Sequence, residues 1–167
     1  MRFLLDSNVF IEAKNRYYAF DICPGFWHWM DSVVGADVGS IQNVRDELSK
    51  GEDELATWVN HRRDADWFLK VDDEDTQKVF SKIAEHVTNL DYKEAGVAKF
   101  LSGADPWLIA KAAVIGGTLV THEVLNEFAK KTVPIPNVCK KFGVPFMNTF
   151  DALRGLSTSF NWQSPDK

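Results

Sequence analysis

Short apolar strands alternating with helical stretches predict an α/β fold with a central, mainly parallel sheet and helices on both faces. Three stretches carry that prediction. Phe3, Leu4 and Leu5 form an apolar run that breaks at Asp6, Ser7 and Asn8, after which Val9, Phe10 and Ala13 recur at helical spacing. Residues 105–115 (DPWLIAKAAVI) are apolar nearly all round, as a buried helix is. Gly116 and Gly117 end that helix, and residues 118–121 read as a central strand. In open sheets of this kind ligands sit at the carboxyl ends of the strands, which is where Asp6 falls.

A chain of 167 residues is a prior for one domain with a full core, expected over residues 1–156 with a loose tail at 157–167. Its 45% hydrophobic and 26% charged residues are ordinary for a soluble protein. Cys23 and Cys139 form no metal-binding or redox motif and read as incidental reduced thiols. No charged-then-apolar leader and no membrane-length run is visible, so the expected location is cytoplasmic. The net charge of −5 excludes a nonspecific basic coat for nucleic acid. It leaves room for a nuclease, since a metal site built from carboxylates raises the negative count itself.

In chain order, Ser7 is a candidate N-cap for a first helix running to about residue 16. Tyr17, Tyr18, Phe20 and Asp21 lack periodicity and read as a loop. Pro24 suits a first helical position, and Phe26, Trp27, Met30, Val33 and Val34 continue that second helix to Gly35. Its aromatic density points to core packing or a groove for a partner chain, with base stacking as the other reading. Residues 36–40 form a candidate strand, and Ile41, Val44, Arg45 and Leu48 mark a helix stopped by Gly51. A further helix carries Leu55, Trp58 and Val59, and residues 67–71 read as a strand.

The acidic group Asp72, Asp73, Glu74 and Asp75 suits the first turn of a helix, whose dipole favours negative charge there. Val79, Phe80, Ile83, Ala84 and Val87 extend that helix. Ala95, Val97, Ala98, Phe100 and Leu101 mark a shorter one before the buried helix. Beyond residue 121, Pro134 and Pro136 suggest an extended connection. A short helix over 137–142, a strand over 145–148 and a last helix over 151–156 complete the pattern.

Four acids stand out against this frame. Asp6 ends the first strand, Asp105 starts the buried helix, and Glu123 follows the strand at 118–121. In a parallel sheet these positions share one rim; Glu47, in the third helix, joins them if that helix leans over the rim. Clustered carboxylates raise one another's pKa, and a divalent cation relieves the repulsion. Magnesium and manganese prefer such hard oxygen ligands and generate a hydroxide nucleophile near neutral pH, which suits phosphodiester hydrolysis. Each acid also has a structural reading: Asp105 before Pro106 as an N-cap, Glu47 as a solvated helix charge, and Glu123 as a loop or helix-start acid.

The segments LLDSNVFI, VRDELSKG, GADPWLIAKA and TLVTHE, in this order over residues 3–123, resemble the PIN-domain nucleases, including VapC-like toxins of toxin–antitoxin systems. The stretches YYAFDICPGFW and IPNVCKKFGVPFMNTFDAL look like one particular PIN-like family of unassigned function. The resemblance implies a three-layer α/β/α sandwich and magnesium- or manganese-dependent cleavage of RNA. It also implies a homodimer neutralised by an antitoxin. It places the catalytic, metal-binding acids at Asp6, Glu47, Asp105 and Glu123, with Asp46 as the alternative for the helix acid. Ser7, Asn8 and Thr121 are the polar companions of these acids. The family commonly has aspartate at the last position, so Glu123 is a departure, one methylene longer.

Other chemistries fit less well. HEVLN from His122 lacks the second histidine of a zinc protease, because Asn126 stands there. Asn8 replaces the general acid that a haloacid-dehalogenase phosphatase needs two residues after its first aspartate. No glycine-rich phosphate loop is present. The rival of a different class is a PIN-like module that binds RNA or a protein without cutting. Lys14 and Arg16, Arg62 and Arg63, Lys130 and Lys131, and Lys140 and Lys141 are small basic groups that read mainly as solvated surface.

Overall fold

The computed structural model describes residues 2–63 and 67–161. Its strands are β1 (Phe3–Leu5), β2 (Val38–Ile41), β3 (Phe68–Leu69), β4 (Thr118–Val120) and β5 (Phe146–Met147). They stand in the order β3-β2-β1-β4-β5, every pair parallel. Phe3 lies opposite both Val38 and Thr118, so β1 is flanked on each side and all three of its residues are buried. That environment explains why FLL is a continuous apolar run rather than an alternating one.

Helices cover both faces, giving the three-layer α/β/α sandwich expected. On one face, Phe3, Leu5, Val38 and Val120 meet α2 (Pro24–Val33) and α9 (Thr149–Gly155) through Phe26, Met30, Ala152 and Leu153. On the other, α7 (Asp105–Ile115) packs across β2 and β4. It also meets α3 (Gln42–Leu48), α5 (Glu74–Thr88), α6 (Glu94–Ser102) and α8 (Ile135–Phe142). An element enclosed in this way has to be apolar all round, as its sequence is. Gly116, at φ 65°, supplies the left-handed residue that ends it. The α5–α7 contact stacks Phe80 on Trp107 at 3.8 Å.

The aromatic stretch is core packing. Tyr18 stacks on Phe26 at 4.2 Å and Phe20 on Trp27 at 3.9 Å, with Phe26, Trp27 and Met30 buried. Phe160 also approaches this group, 5.9 Å from Tyr18 and 6.0 Å from Phe26. Residues 162–167 of the expected tail lie outside the described residues.

Several local expectations are corrected. Ser7 is not the N-cap: Asp6 holds that position, without a side-chain capping bond, and Ser7 is the first residue of α1 (Ser7–Glu12). The first helix then widens into a π-helical turn, Ala13–Tyr17, closed by the Tyr18 amide donating to the Ala13 carbonyl at 2.7 Å. The second strand begins at Val38 and β3 is only two residues long. Pro136 lies in the first turn of α8, where its missing N–H costs nothing. The acidic group at 72–75 does start α5: Asp73 is its N-cap and accepts from the Thr76 amide at 2.9 Å. The fourth helix, α4 (Glu54–Asn60), is capped in the same way by Asp53.

Candidate active site

The strand order reverses between β1 and β4: from β1 the chain moves outward through β2 and β3, then returns to β4 on the other side. This is the switch point at which open α/β sheets form crevices. Asp6 leaves β1 there and Thr121 leaves β4. The Asp6 amide donates to the Val120 carbonyl at 3.0 Å, so both residues stay in register at the rim.

Asp6 is 2% exposed. Its Oδ2 accepts from the Thr121 hydroxyl at 2.9 Å and from Asn8 Nδ2 at 3.3 Å. Burial nevertheless pushes its carboxyl up to about 6, with the Thr121 bond pulling the other way and the Glu123 charge adding to the rise. Asp105 is held higher still, at about 7. Burial is the main cause, followed by the charges of Asp6, Glu123 and Glu47, while Lys99 eases its ionisation. Asp105 does not cap α7, since Ala104 is the N-cap residue and makes no side-chain bond.

Glu47 lies on α3 with the buried Val44 and Leu48, so helical spacing turns it inward. The adjacent Asp46 is exposed and pairs with Arg45 at 2.8 Å, which makes Glu47 the helix acid that faces the rim. Both Glu47 oxygens are engaged: Oε2 accepts from Ser7 Oγ at 2.7 Å and Oε1 from the Ala104 amide at 2.8 Å. One carboxylate thereby ties α1, α3 and the start of α7 together. Glu123 has a similar double position. Its Oε2 accepts from the Ile135 amide at the start of α8 at 2.7 Å, and its own amide donates to Thr121 Oγ1 at 3.1 Å.

All four acids, with Ser7 and Asn8, line one cavity of about 360 Å³. They surround it rather than close on a point: among the described residues, no three His, Cys, Asp or Glu side chains stand tightly enough to hold a metal. The hydrogen bonds account for this. Glu47 and Glu123 are drawn back onto backbone amides, while the two aspartates carry the electrostatic cost. The donors are hard carboxylate oxygens, the ligand type that magnesium and manganese prefer. Asp6 and Asp105 are the acids whose protons a cation would displace, and the glutamates retain further lone pairs on their engaged oxygens.

Sequence reading missed Lys99. It lines the cavity from α6. A single lysine in a short helix gives no local sign of this, because its position depends on α6 lying over the rim. The Lys93 amide donates to the Lys130 carbonyl at 2.7 Å, and Gly96 lets the Lys131 backbone approach closely, which holds α6 there. The basic groups noted in the sequence are largely paired elsewhere: Lys14 with Asp53, Arg16 with Glu12, Arg62 with Asp31, Lys130 with Asp91 and Lys140 with Glu127. His122 has a structural partner, its Nε2 lying 3.0 Å from Thr149 Oγ1. No helix among the described residues is long and apolar enough to cross a membrane.

Among solved structures, the fold is similar to a chain of VapBC2 from Rickettsia felis, bound to a DNA fragment from their promoter. The two share 13% sequence identity with a TM-score of 0.51, over 89% of this chain and 98% of that one. At that identity the likeness is one of fold. No curated protein sequence matches. A family profile matches residues 3–160, and on that match the chain belongs to the family described as a domain of unknown function, DUF4411.

Proposed function

We propose that this protein is a metal-dependent ribonuclease that hydrolyses RNA phosphodiester bonds, acting as the toxin of a toxin–antitoxin system. The observation that carries the reading is the meeting of Asp6, Glu47, Asp105 and Glu123 around one cavity at the sheet's switch point. The raised carboxyls of Asp6 and Asp105 support it, since such a site is costly until a cation enters. The fold likeness to VapBC2 agrees with it at the level of architecture. The proposed cofactor is Mg²⁺ or Mn²⁺, the proposed protein partners are an antitoxin and a second copy of the chain, and the proposed location is cytoplasmic.

In this reading Asp6 and Asp105 would hold the cation, and Glu47 and Glu123 would complete the oxygen set. When bound, the cation would supply a polarised phosphate and an activated water near neutral pH. Thr121 and Asn8 orient Asp6 through its Oδ2. Glu47 holds α1 against the start of α7, which fixes the spacing between Asp6 and Asp105.

One observation favours the other class. Both oxygens of Glu47 and one of Glu123 already serve the protein's own amides and hydroxyl, as they would in a binding module without a metal. Incubating purified protein with RNA in Mg²⁺, in Mn²⁺ and in EDTA separates the two. The nuclease reading expects cleavage with either cation and none in EDTA. Cleavage unchanged in Asp6→Asn would overturn this site.

A further inference from the structure

The cavity has four acidic walls, and a phosphodiester brings another negative charge to them. Among the described residues that line it, Lys99 is the only one with a positive charge. The residues of α6 that line the cavity are Gly96, Lys99 and Phe100, which share one helical face, and Gly103, just past the end of the helix, lines it too. Gly96 is closed against the Lys131 backbone, which holds this face of α6 in place beside the cavity. A Cβ at residue 103 would stand 3.5 Å from Glu47 Oε1, so the end of α6 lies beside that acid.

Lys99 is exposed, and it makes no salt bridge among the described residues although four carboxylates share its cavity. Its ammonium shares the cavity with Asp105 and is not consumed by a contact pair. An ammonium on a flexible stem is suited to hold a phosphate oxygen as a point charge.

We infer that Lys99 is a substrate-binding residue of this site, holding a non-bridging phosphate oxygen of the RNA over the acid cavity. The inference rests on the phosphodiesterase reading. Lys99 offsets the repulsion between the acids and the incoming backbone.

The test uses the full chain and a fluorescein-labelled single-stranded RNA oligonucleotide. Binding is read by anisotropy in Ca²⁺ across a salt series, and Mn²⁺ affinity is measured separately by calorimetry. Lys99→Ala should leave Mn²⁺ affinity within about twofold of the unmodified protein and weaken RNA binding about tenfold. The dependence of log affinity on log salt should also flatten by about 0.7, the contribution of one phosphate contact on a single strand. Lys99→Arg should recover most of the affinity. Lys78→Ala, the same change of charge on α5 away from the cavity, should match the unmodified protein. Unchanged affinity and salt slope in Lys99→Ala, in a protein that binds Mn²⁺ and cleaves RNA, would overturn the inference alone. Absence of Mn²⁺ binding and cleavage in the unmodified protein would overturn the nuclease reading together with it.

Discussion

The Thr121 hydroxyl donates to Asp6 Oδ2 at 2.9 Å, joining the residues that leave β4 and β1 across 115 positions of sequence. The same hydroxyl oxygen accepts the Glu123 amide at 3.1 Å, so one threonine sets the positions of two of the four acids. Thr121→Val keeps the shape and removes both interactions. It should reduce Mn²⁺ affinity or RNA cleavage by about 10- to 100-fold, as loss of a residue supporting metal ligands typically does. Asp6→Asn, which keeps the volume and removes the charge, should abolish cleavage. Steady-state cleavage rates and Mn²⁺ calorimetry check both.

The two raised aspartates make the metal-free protein pH-sensitive. Asp6 is held at about 6 and Asp105 at about 7 in the fold, above their ordinary value of 3.8. A carboxyl raised on folding contributes most stability below its unfolded pKa and loses that contribution as pH rises through its folded pKa. In EDTA, the thermal midpoint should therefore fall between about pH 5 and about pH 8. Mn²⁺ affinity should rise over the same interval, because the cation competes with the protons it displaces. Calorimetric melts across the series test this, and a midpoint that climbs with pH in EDTA would contradict it.

Gly96 is required by the close approach of another chain segment. A Cβ there would collide with the Lys131 carbonyl, which belongs to the loop between β4 and α8. Gly96→Ala should destabilise the protein by about 1–3 kcal/mol in urea titration, the usual cost of overpacking. Because α6 carries Lys99 and this loop carries Thr132, both of which line the cavity, cleavage should fall as well.

Away from the cavity, Asp73 joins α5 to α7. It caps α5 through the Thr76 amide and hydroxyl, at 2.9 and 2.8 Å, and pairs with Lys111 on α7 at 2.6 Å. Lys111 and the two Thr76 contacts hold its carboxyl well below the usual carboxylate range. Asp73→Ala should cost about 1 kcal/mol for the cap. Asp73→Asn should cost less, because it keeps the cap and loses only a partly exposed ion pair. Urea titration of the two variants checks the order.

Legibility in the sequence followed how local each cause is. The buried helix over 105–115 was readable to the residue, since Pro106 near its start, Gly116 beyond its end and the apolar run between are all in the sequence. Asp6 and Glu123 were readable because strand ends in a parallel sheet share a rim. Glu47 could be separated from Asp46 only by the phase of α3 against the core. Ser7 has the composition of a cap, yet its hydroxyl is taken by a partner 40 residues away. The π turn after α1 and the place of Lys99 depend on tertiary packing that no short window contains. The drawing back of Glu47 and Glu123 onto backbone amides is of the same kind.

The central claim is that these acids form a cation site, and Mn²⁺-dependent stabilisation tests it most directly. The unmodified protein at neutral pH should gain thermal stability with Mn²⁺ concentration, by about 2.7 kcal/mol when the free ion reaches a hundred times its dissociation constant. Asp105→Asn removes a carboxylate that accepts no side-chain hydrogen bond among the described residues, so it should fold normally and lose most of that gain. An unmodified protein whose melting is indifferent to Mn²⁺, or an Asp105→Asn variant stabilised to the same extent, would contradict the account.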